Sequence, residues 1–244
     1  MQPDPKERDG ATTPFFDQFD RFYSTSRTSP WPERLHARYQ AIIQENLDLL
    51  RGQRVLDVAS HDGRWSFAAL KAGCAHVTGM EAREHLVLTA RATFEHYGVD
   101  RAKYEFVLGD VFTSLKEREY RADTVLLLGF FYHVNRHVEL AALISDVGAR
   151  HIILDTAVVR AESCPREAPI IELSTESSAD EGAAVASTAR VIVGRPSREA
   201  IRLIFGEFGF TVREVDWTPY KKNVPALSEY WTGDRSTFVL SRDL

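Results

Sequence analysis

Cysteine is scarce in this chain: Cys74 and Cys164 are the two among 244 residues. Two thiols without a Cys-x-x-Cys pair exclude a disulfide framework. Cys74 follows Gly73 and is expected to pack as a small hydrophobe. Long apolar runs are also missing. No stretch reaches the roughly 18 residues a membrane span needs, so no membrane partner is expected. Met1 to Gly10 is charged and lacks an apolar run, which argues against a secretory signal and makes the cytoplasm the expected location. Excess positive charge is absent as well, with 30 Lys+Arg against 35 Asp+Glu and a formal net charge of −5. That balance leaves no electrostatic footprint for nucleic acid, and Lys221-Lys222 is too short to supply one. There is no internal repeat and no low-complexity block.

What is present is ordinary for a soluble globular protein, 44% hydrophobic and 27% charged. The length fits one large domain with an extension. Residues 1–14 hold three prolines and read as a loose tail. Between Trp31 and Leu50, the residues Leu35, Tyr39, Ile42, Ile43, Leu47 and Leu50 recur near helical spacing, with Pro32 suited to a first turn. Strand and helix patterns then alternate. Strands are expected at Arg54–Ala59, His76–Met80, Tyr104–Leu108, Thr124–Gly129 and His151–Asp155. Helices are expected at Gly63–Ala72, Arg83–His96, Ser114–Glu119 and Arg136–Val147. That alternation predicts an α/β fold, a Rossmann-like doubly wound, mostly parallel sheet covered on both faces. Ala161–Arg190 is rich in Glu, Ser and Ala, lacks a clear period, and reads as an irregular insertion with a short strand at Ile170–Leu173. Val191–Val193 is a further strand, and Ser197 caps a helix that Gly209 closes. Thr211–Trp217 and Ser236–Ser241 suit an antiparallel C-terminal strand pair. The expected division is an N-terminal tail and helical cap over 1–50 and the main domain over 51–244, with its insertion near 161–190.

The strongest local signal is the run Val55-Leu56-Asp57-Val58-Ala59-Ser60-His61-Asp62-Gly63 at a strand-to-helix turn. Small side chains and a glycine there let a ligand approach the backbone. Asp57 and Asp62 would repel a phosphate but welcome an ammonium or sulfonium, so a cationic ligand fits better than a dinucleotide. Glu81 ends the next strand, where an acid can accept from both hydroxyls of a ribose. Asp110 follows the third strand and can meet an adenine amino group, with Val111 against the ring. Alone, each has a structural alternative: a turn residue, a helix N-terminal acid, an N-cap. Three acids at successive strand ends, where open α/β sheets bind ligands, point together to a nucleoside.

From about Gln53 to Asp155 these motifs resemble the class I S-adenosylmethionine-dependent methyltransferases. The family's first loop reads acid-x-Gly-x-Gly-x-Gly; here Ala59 and His61 stand at the first two glycine positions and Gly63 at the third. The His-Asp-Gly variant, and the segment Gly129-Phe130-Phe131-Tyr132-His133-Val134, are similar to those of the tRNA wobble-uridine carboxymethyltransferase group. The resemblance implies S-adenosylmethionine as cofactor. It places Asp57, Ala59, Ser60, His61 and Gly63 at the methionine end, Glu81 and Ala82 at the ribose, Asp110 and Val111 at the adenine, and Gly129 beside the cofactor.

A sulfonium methyl is already activated, so alignment of the acceptor supplies much of the rate. An alcohol acceptor additionally needs its proton removed. His133, directly after the fourth strand, is the first choice of base because an imidazole titrates near neutrality; the structural alternative is packing or capping. Tyr132 neighbours it. Asp155 ends the fifth strand and could orient a histidine, bind a hydroxyl or ligate a metal. Asp155 with Glu172, joined by His133, is a candidate Mg²⁺ set, though Glu162, Glu172 and Glu176 are equally readable as solvated. Aromatics crowd both ends of the chain: Phe15, Phe16, Phe19, Phe22, Tyr23 and Trp31, then Trp217, Tyr220, Tyr230 and Trp231. Core packing of a helical cap accounts for most of them. Tyr23, Arg27 and Trp31 are the candidates for binding a small-molecule acceptor. The favoured reading is O-methylation of a sugar or natural product. The alternatives are a tRNA-modifying enzyme, which the acidic balance disfavours, and a cofactor-binding protein without turnover. A homo-oligomer stays open.

Overall fold

The computed structural model describes residues 13–25, 31–163, 168–177, 190–220 and 224–243. Its centre is a set of short strands rich in Val, Ile and Leu, the composition of strands covered on both faces. These are β1 (Arg54–Val58), β2 (His76–Glu81), β3 (Tyr104–Leu108), β4 (Thr124–Leu128) and β5 (His151–Ala157). All neighbours among the five pair in parallel, as crossover helices require. Those helices are α2 (Arg64–Lys71), α3 (Glu84–His96), α4 (Val111–Glu117) and α5 (His137–Asp146). α1 (Pro32–Ile42) precedes them, and α6 (Arg198–Gly206) follows with Ser197 as its N-cap, Oγ accepting from Ala200 N.

The seven-stranded sheet has the order β3-β2-β1-β4-β5, closed by β9 (Arg235–Ser241) and β8 (Thr211–Glu214). β9 runs antiparallel to both β5 and β8, the predicted C-terminal pair. Strand alternation divides the core. Leu56, Val58, Val125, Leu127, Ile152 and Leu154 face the layer that holds Leu140, Ile144, Ile201 and Phe205. Val55, Val77, Leu126 and Ile153 face the layer of Phe67, Val87, Ala90 and Phe94. Phe16 and Phe22 join that second layer, and Phe15 stacks on Tyr39 with ring centroids 4.2 Å apart. Most N-terminal aromatics are thus core.

The stretch predicted as irregular holds a full strand. β6 (Ile171–Ser177) pairs antiparallel with β7 (Arg190–Pro196) in a separate two-stranded sheet. Most of β6 is exposed. With no buried face there is no apolar alternation to read, and the ladder itself holds the strand. β7 docks on the loop after β4: Gly194 N donates to Val134 O at 2.8 Å, and Gly194 O lies 2.9 Å from His137 Nε2. A Cβ at Gly194 would sit 2.6 Å from His137 Cε1, so only glycine permits the approach. His137 is wholly buried there, and burial holds its imidazole below the usual range. Among the described residues no helix is long and apolar enough to cross a membrane.

Candidate functional site

Strand order reverses between β1 and β4, the position where open sheets leave a crevice for ligands. The β1–α2 turn lies at that point. Ala59, His61 and Gly63 all take left-handed backbone angles, with φ of 57°, 54° and 77°. The alternating left-handed geometry therefore persists where two of the three expected glycines are replaced. At Gly63 the glycine is required twice over, by φ and by space, since a Cβ would come within 2.7 Å of Phe106 Cζ. Ser60 N ties the turn to β2 through Met80 O at 2.8 Å. Ser60 Oγ is buried with no hydrogen-bond partner, an acceptor and donor left for a ligand. Gly129, at the end of β4, has φ of 83° and open space where a Cβ would project.

Carboxylates dominate this side. Asp57 is buried and receives one side-chain hydrogen bond, from Ser66 Oγ at 2.6 Å. Burial, with Asp62 and Glu81 nearby, pushes its carboxyl up to about 7. Burial also opposes the charge of Asp62. Arg64, donating from Nε at 2.7 Å and Nη2 at 2.8 Å, and His61 outweigh it and hold that carboxyl well below the usual range. Glu81 accepts His61 N at 2.9 Å on Oε2, and a fork from Arg83, Nε at 2.7 Å and Nη2 at 3.0 Å. Arg83 N adds a fourth donor at 3.0 Å on Oε1, so all four lone-pair positions are taken and a ribose diol would have to take the places of the Arg83 side chain. Asp110 caps α4, its Oδ1 accepting Thr113 N at 2.9 Å, with buried Val111 beside it and half-buried Ala82 across the strand ends. Orphaned Ser60, the open face at Gly129 and this acidic ring fit a cationic adenosyl cofactor.

On the other side of the switch, Tyr132 and His133 form a single helical turn after β4. Their rings lie 4.0 Å apart. His133 Nδ1 is 2.6 Å from Glu176 Oε2, so the β6–β7 hairpin supplies the carboxylate that orients the histidine. Sequence reasoning had given that orienting role to Asp155. Asp155 is instead fully buried and saturated: Oδ1 accepts Arg235 Nη1 at 2.6 Å and Arg38 Nη2 at 3.0 Å, and Oδ2 accepts Thr237 Oγ1 at 2.7 Å and Tyr230 Oη at 2.9 Å. Burial alone would raise it, but the two arginines and the hydroxyls pull it down to about 2. With both oxygens taken, Asp155 does not fit a metal ligand or a base. Glu172 is exposed, four residues along β6 from Glu176, and no group of three or more metal-ligating side chains exists among the described residues. The Mg²⁺ set therefore does not form.

Of the predicted acceptor residues, Tyr23 spends its hydroxyl on Asp17 Oδ1 at 2.6 Å and His36 Nε2 at 2.8 Å. Trp31 is half exposed ahead of α1, and Arg27 lies outside the described residues. Thr25 Oγ1 donates to Asp62 Oδ2, which lays the N-terminal segment over the cofactor turn. Glu176, Arg38, Arg235 and Tyr230 were missed as partners. Arg34 and Arg38, one turn apart on α1, were the available signal for a basic helix face turned inward.

A family model described as "Methyltransferase domain" matches residues 55–148. The ribosomal RNA large subunit methyltransferase I of Pseudoalteromonas translucida is 40% identical over 76 residues, 31% of this chain and 19% of that protein. The chain thus spans about a fifth of the length of the curated relatives it matches. Among solved structures, an S-adenosylmethionine dependent methyltransferase from Mesorhizobium loti superposes with a TM-score of 0.60 at 14% identity, over 84% of this chain and 98% of that one. The magnesium protoporphyrin IX methyltransferase of Synechocystis PCC 6803 with bound SAH gives 0.58 at 16% identity, over 93% and 95%.

Proposed function

We propose that this chain, whose residues 55–148 form a class I S-adenosylmethionine-dependent methyltransferase domain, methylates an oxygen of a small hydroxylated molecule such as a sugar or natural product, with His133 as general base. The observation that carries the reading is the 2.6 Å contact between His133 Nδ1 and Glu176 Oε2 at the end of β4, beside the cofactor crevice. The cofactor, when bound, supplies an electrophilic methyl group on sulfur. The chain's own task is then to bind it, align the acceptor and take a proton.

Asp57 to Gly63 form the turn that would receive the methionine end, and Glu81 and Asp110 the acids that would meet ribose and adenine. Glu176 fixes the ring of His133 and favours the proton on Nδ1, which leaves Nε2 as the acceptor for an alcohol proton. The same carboxylate stabilises the imidazolium once the proton has arrived, as in other carboxylate–histidine pairs. Tyr132, held by Arg235 Nη2 at 3.3 Å, flanks the base.

The test is single-turnover methyl transfer over a panel of sugars, phenols and amines, with S-adenosylhomocysteine affinity measured alongside. His133→Ala should lower the rate on hydroxyl acceptors roughly 10²–10⁴-fold while cofactor affinity holds. Glu176→Gln should lose less and shift the pH profile of kcat. An unchanged rate in His133→Ala would discard the assignment. The partial match to a ribosomal RNA methyltransferase favours a second reading, an RNA acceptor. Failure to bind RNA at low salt would dismiss it.

A further inference from the structure

The cluster around Asp155 holds more positive charge than its carboxylates balance. Arg38, from the second turn of α1, and Arg235, the first residue of β9, both donate to the same oxygen, Asp155 Oδ1. The other oxygen is filled by two neutral hydroxyls, Tyr230 and Thr237. Arg34 pairs with Glu229 and donates from Nη1 to Ala226 O at 2.5 Å. Glu229 Oε1 also lies 3.2 Å from Arg235 Nε, without the alignment of a hydrogen bond. Three guanidiniums thus share two carboxylates. The Nε–H groups of Arg34, Arg38 and Arg235 are all buried with no hydrogen-bond partner. Arg235 is 7% exposed. A buried cation without a matching anion is costly, and a native fold keeps one where a ligand completes it.

The cluster also stands where an acceptor must lie. Arg235 sits over the ring of Tyr132 at 5.2 Å, and Tyr132 touches His133, the base proposed above. Arg38 sits over Trp65 at 5.1 Å, in the first turn of the helix that opens the cofactor crevice. The neighbouring Asp62 and Arg64 neutralise each other, and Glu176 belongs to His133, so neither offsets the surplus.

We propose that the acceptor carries an oxyanion, a carboxylate or a phosphate, which docks against Arg38 and Arg235 and presents a nearby hydroxyl to His133. Guanidinium forks match such groups with paired charge-assisted hydrogen bonds. The proposal rests on the methyl-transfer reading. It is tested with matched acceptors: 4-hydroxybenzyl alcohol against 4-hydroxybenzoate, methyl glucoside against glucuronate, glucose against glucose 6-phosphate. Methyl transfer is followed for each, and 4-hydroxybenzoate and glucose 6-phosphate are titrated calorimetrically into protein saturated with S-adenosylhomocysteine. The anionic member of at least one pair should be preferred by about tenfold or more, and the carboxylate and phosphate arms tell which anion is meant. Arg38→Gln should weaken anion binding by about tenfold or more and leave S-adenosylhomocysteine affinity within about twofold. If Arg38→Gln does not fold, Arg38→Lys, which keeps the charge and loses the fork, is read the same way. Equal use of neutral acceptors, or no heat from either anion on the cofactor-loaded protein, overturns the proposal and leaves methyl transfer standing. No heat from S-adenosylhomocysteine itself sinks the methyl-transfer reading and this proposal with it.

Discussion

Two buried aspartates stand two register steps apart near the same end of the parallel sheet and meet opposite fates. Asp57 lies near the end of β1 and Asp155 near the end of β5, both buried. Asp57 has one hydroxyl donor, two acidic neighbours and a carboxyl pushed up to about 7. Asp155 has two guanidiniums, two hydroxyls and a carboxyl pulled down to about 2. The strand ends are therefore polarised, with an underpaired carboxylate beside β1 and underpaired guanidiniums beside β5. A buried acid is defined by what is left unpaired around it, and the same residue type two register steps apart on one sheet takes opposite electrostatic states.

The strongest way to break the comparison is Asp155→Asn. The shape is kept, but Arg38 and Arg235 lose the carboxylate oxygen to which both donate. Removing one partner of a buried ion pair costs about 3–5 kcal/mol. At about 2–4 °C per kcal/mol for a chain of this size, the melting temperature should fall by roughly 10 °C. Scanning calorimetry reads it directly. A fall of only a degree or two would mean that the arginines are balanced by something other than Asp155.

Asp57→Asn should act in the other direction and only at higher pH. In the folded, cofactor-free protein Asp57 keeps its proton to about 7, while in the unfolded chain it releases it near 3.8. The folded state binds the extra proton between those values, so stability declines as pH rises from about 4 to about 7. Asparagine removes that slope. At pH 8 the variant should be more stable than the parent by a few kcal/mol, and at pH 4 the two should melt together. Asp155 has the opposite sign: its contribution is present above about 3.8 and lost as pH falls through about 2. Urea midpoints at pH 4, 6 and 8 separate the two. A parallel pH dependence in parent and Asp57→Asn would show that Asp57 is charged throughout.

The parallel sheet was legible because its strands are buried on both faces and its helices carry a period, so Thr124–Gly129 reads as a continuous apolar strand and Ile152–Leu154 marks the next. Asp57, Glu81 and Asp110 could be picked out as candidates because they stand at or just after the ends of successive strands. The partners of His133 and Asp155 could not. The contact of His133 with Glu176 spans 43 positions and that of Asp155 with Arg38 spans 117, and nothing local marks such pairs. The exposed strand β6 offered no buried face to betray it. Asp155 was expected to end β5, but the strand runs on to Ala157 and the carboxylate is buried under four donors, since position along a strand says nothing of how many donors converge there.

The smallest expected effect concerns the turn that both halves of the crevice share. Ala59 holds φ of 57°, a left-handed conformation that costs an L-residue with a Cβ about 1–2 kcal/mol. Ala59→Gly removes that strain but gives the unfolded chain more freedom, which returns about 0.4–1 kcal/mol. The net gain should be about 0.5–1 kcal/mol, a rise in melting temperature of a few degrees at most. The same exchange bears on binding. Were the methyl group of Ala59 part of the surface that meets the methionine end, affinity for S-adenosylhomocysteine would fall although stability rose. Unaltered affinity with raised stability would mean that the turn works through its backbone, so that alternating left-handed residues build the cradle whatever side chains they carry. A lowered melting temperature would contradict the conformational argument itself, because it would place Ala59 where its Cβ is a packing contact and its backbone carries no strain.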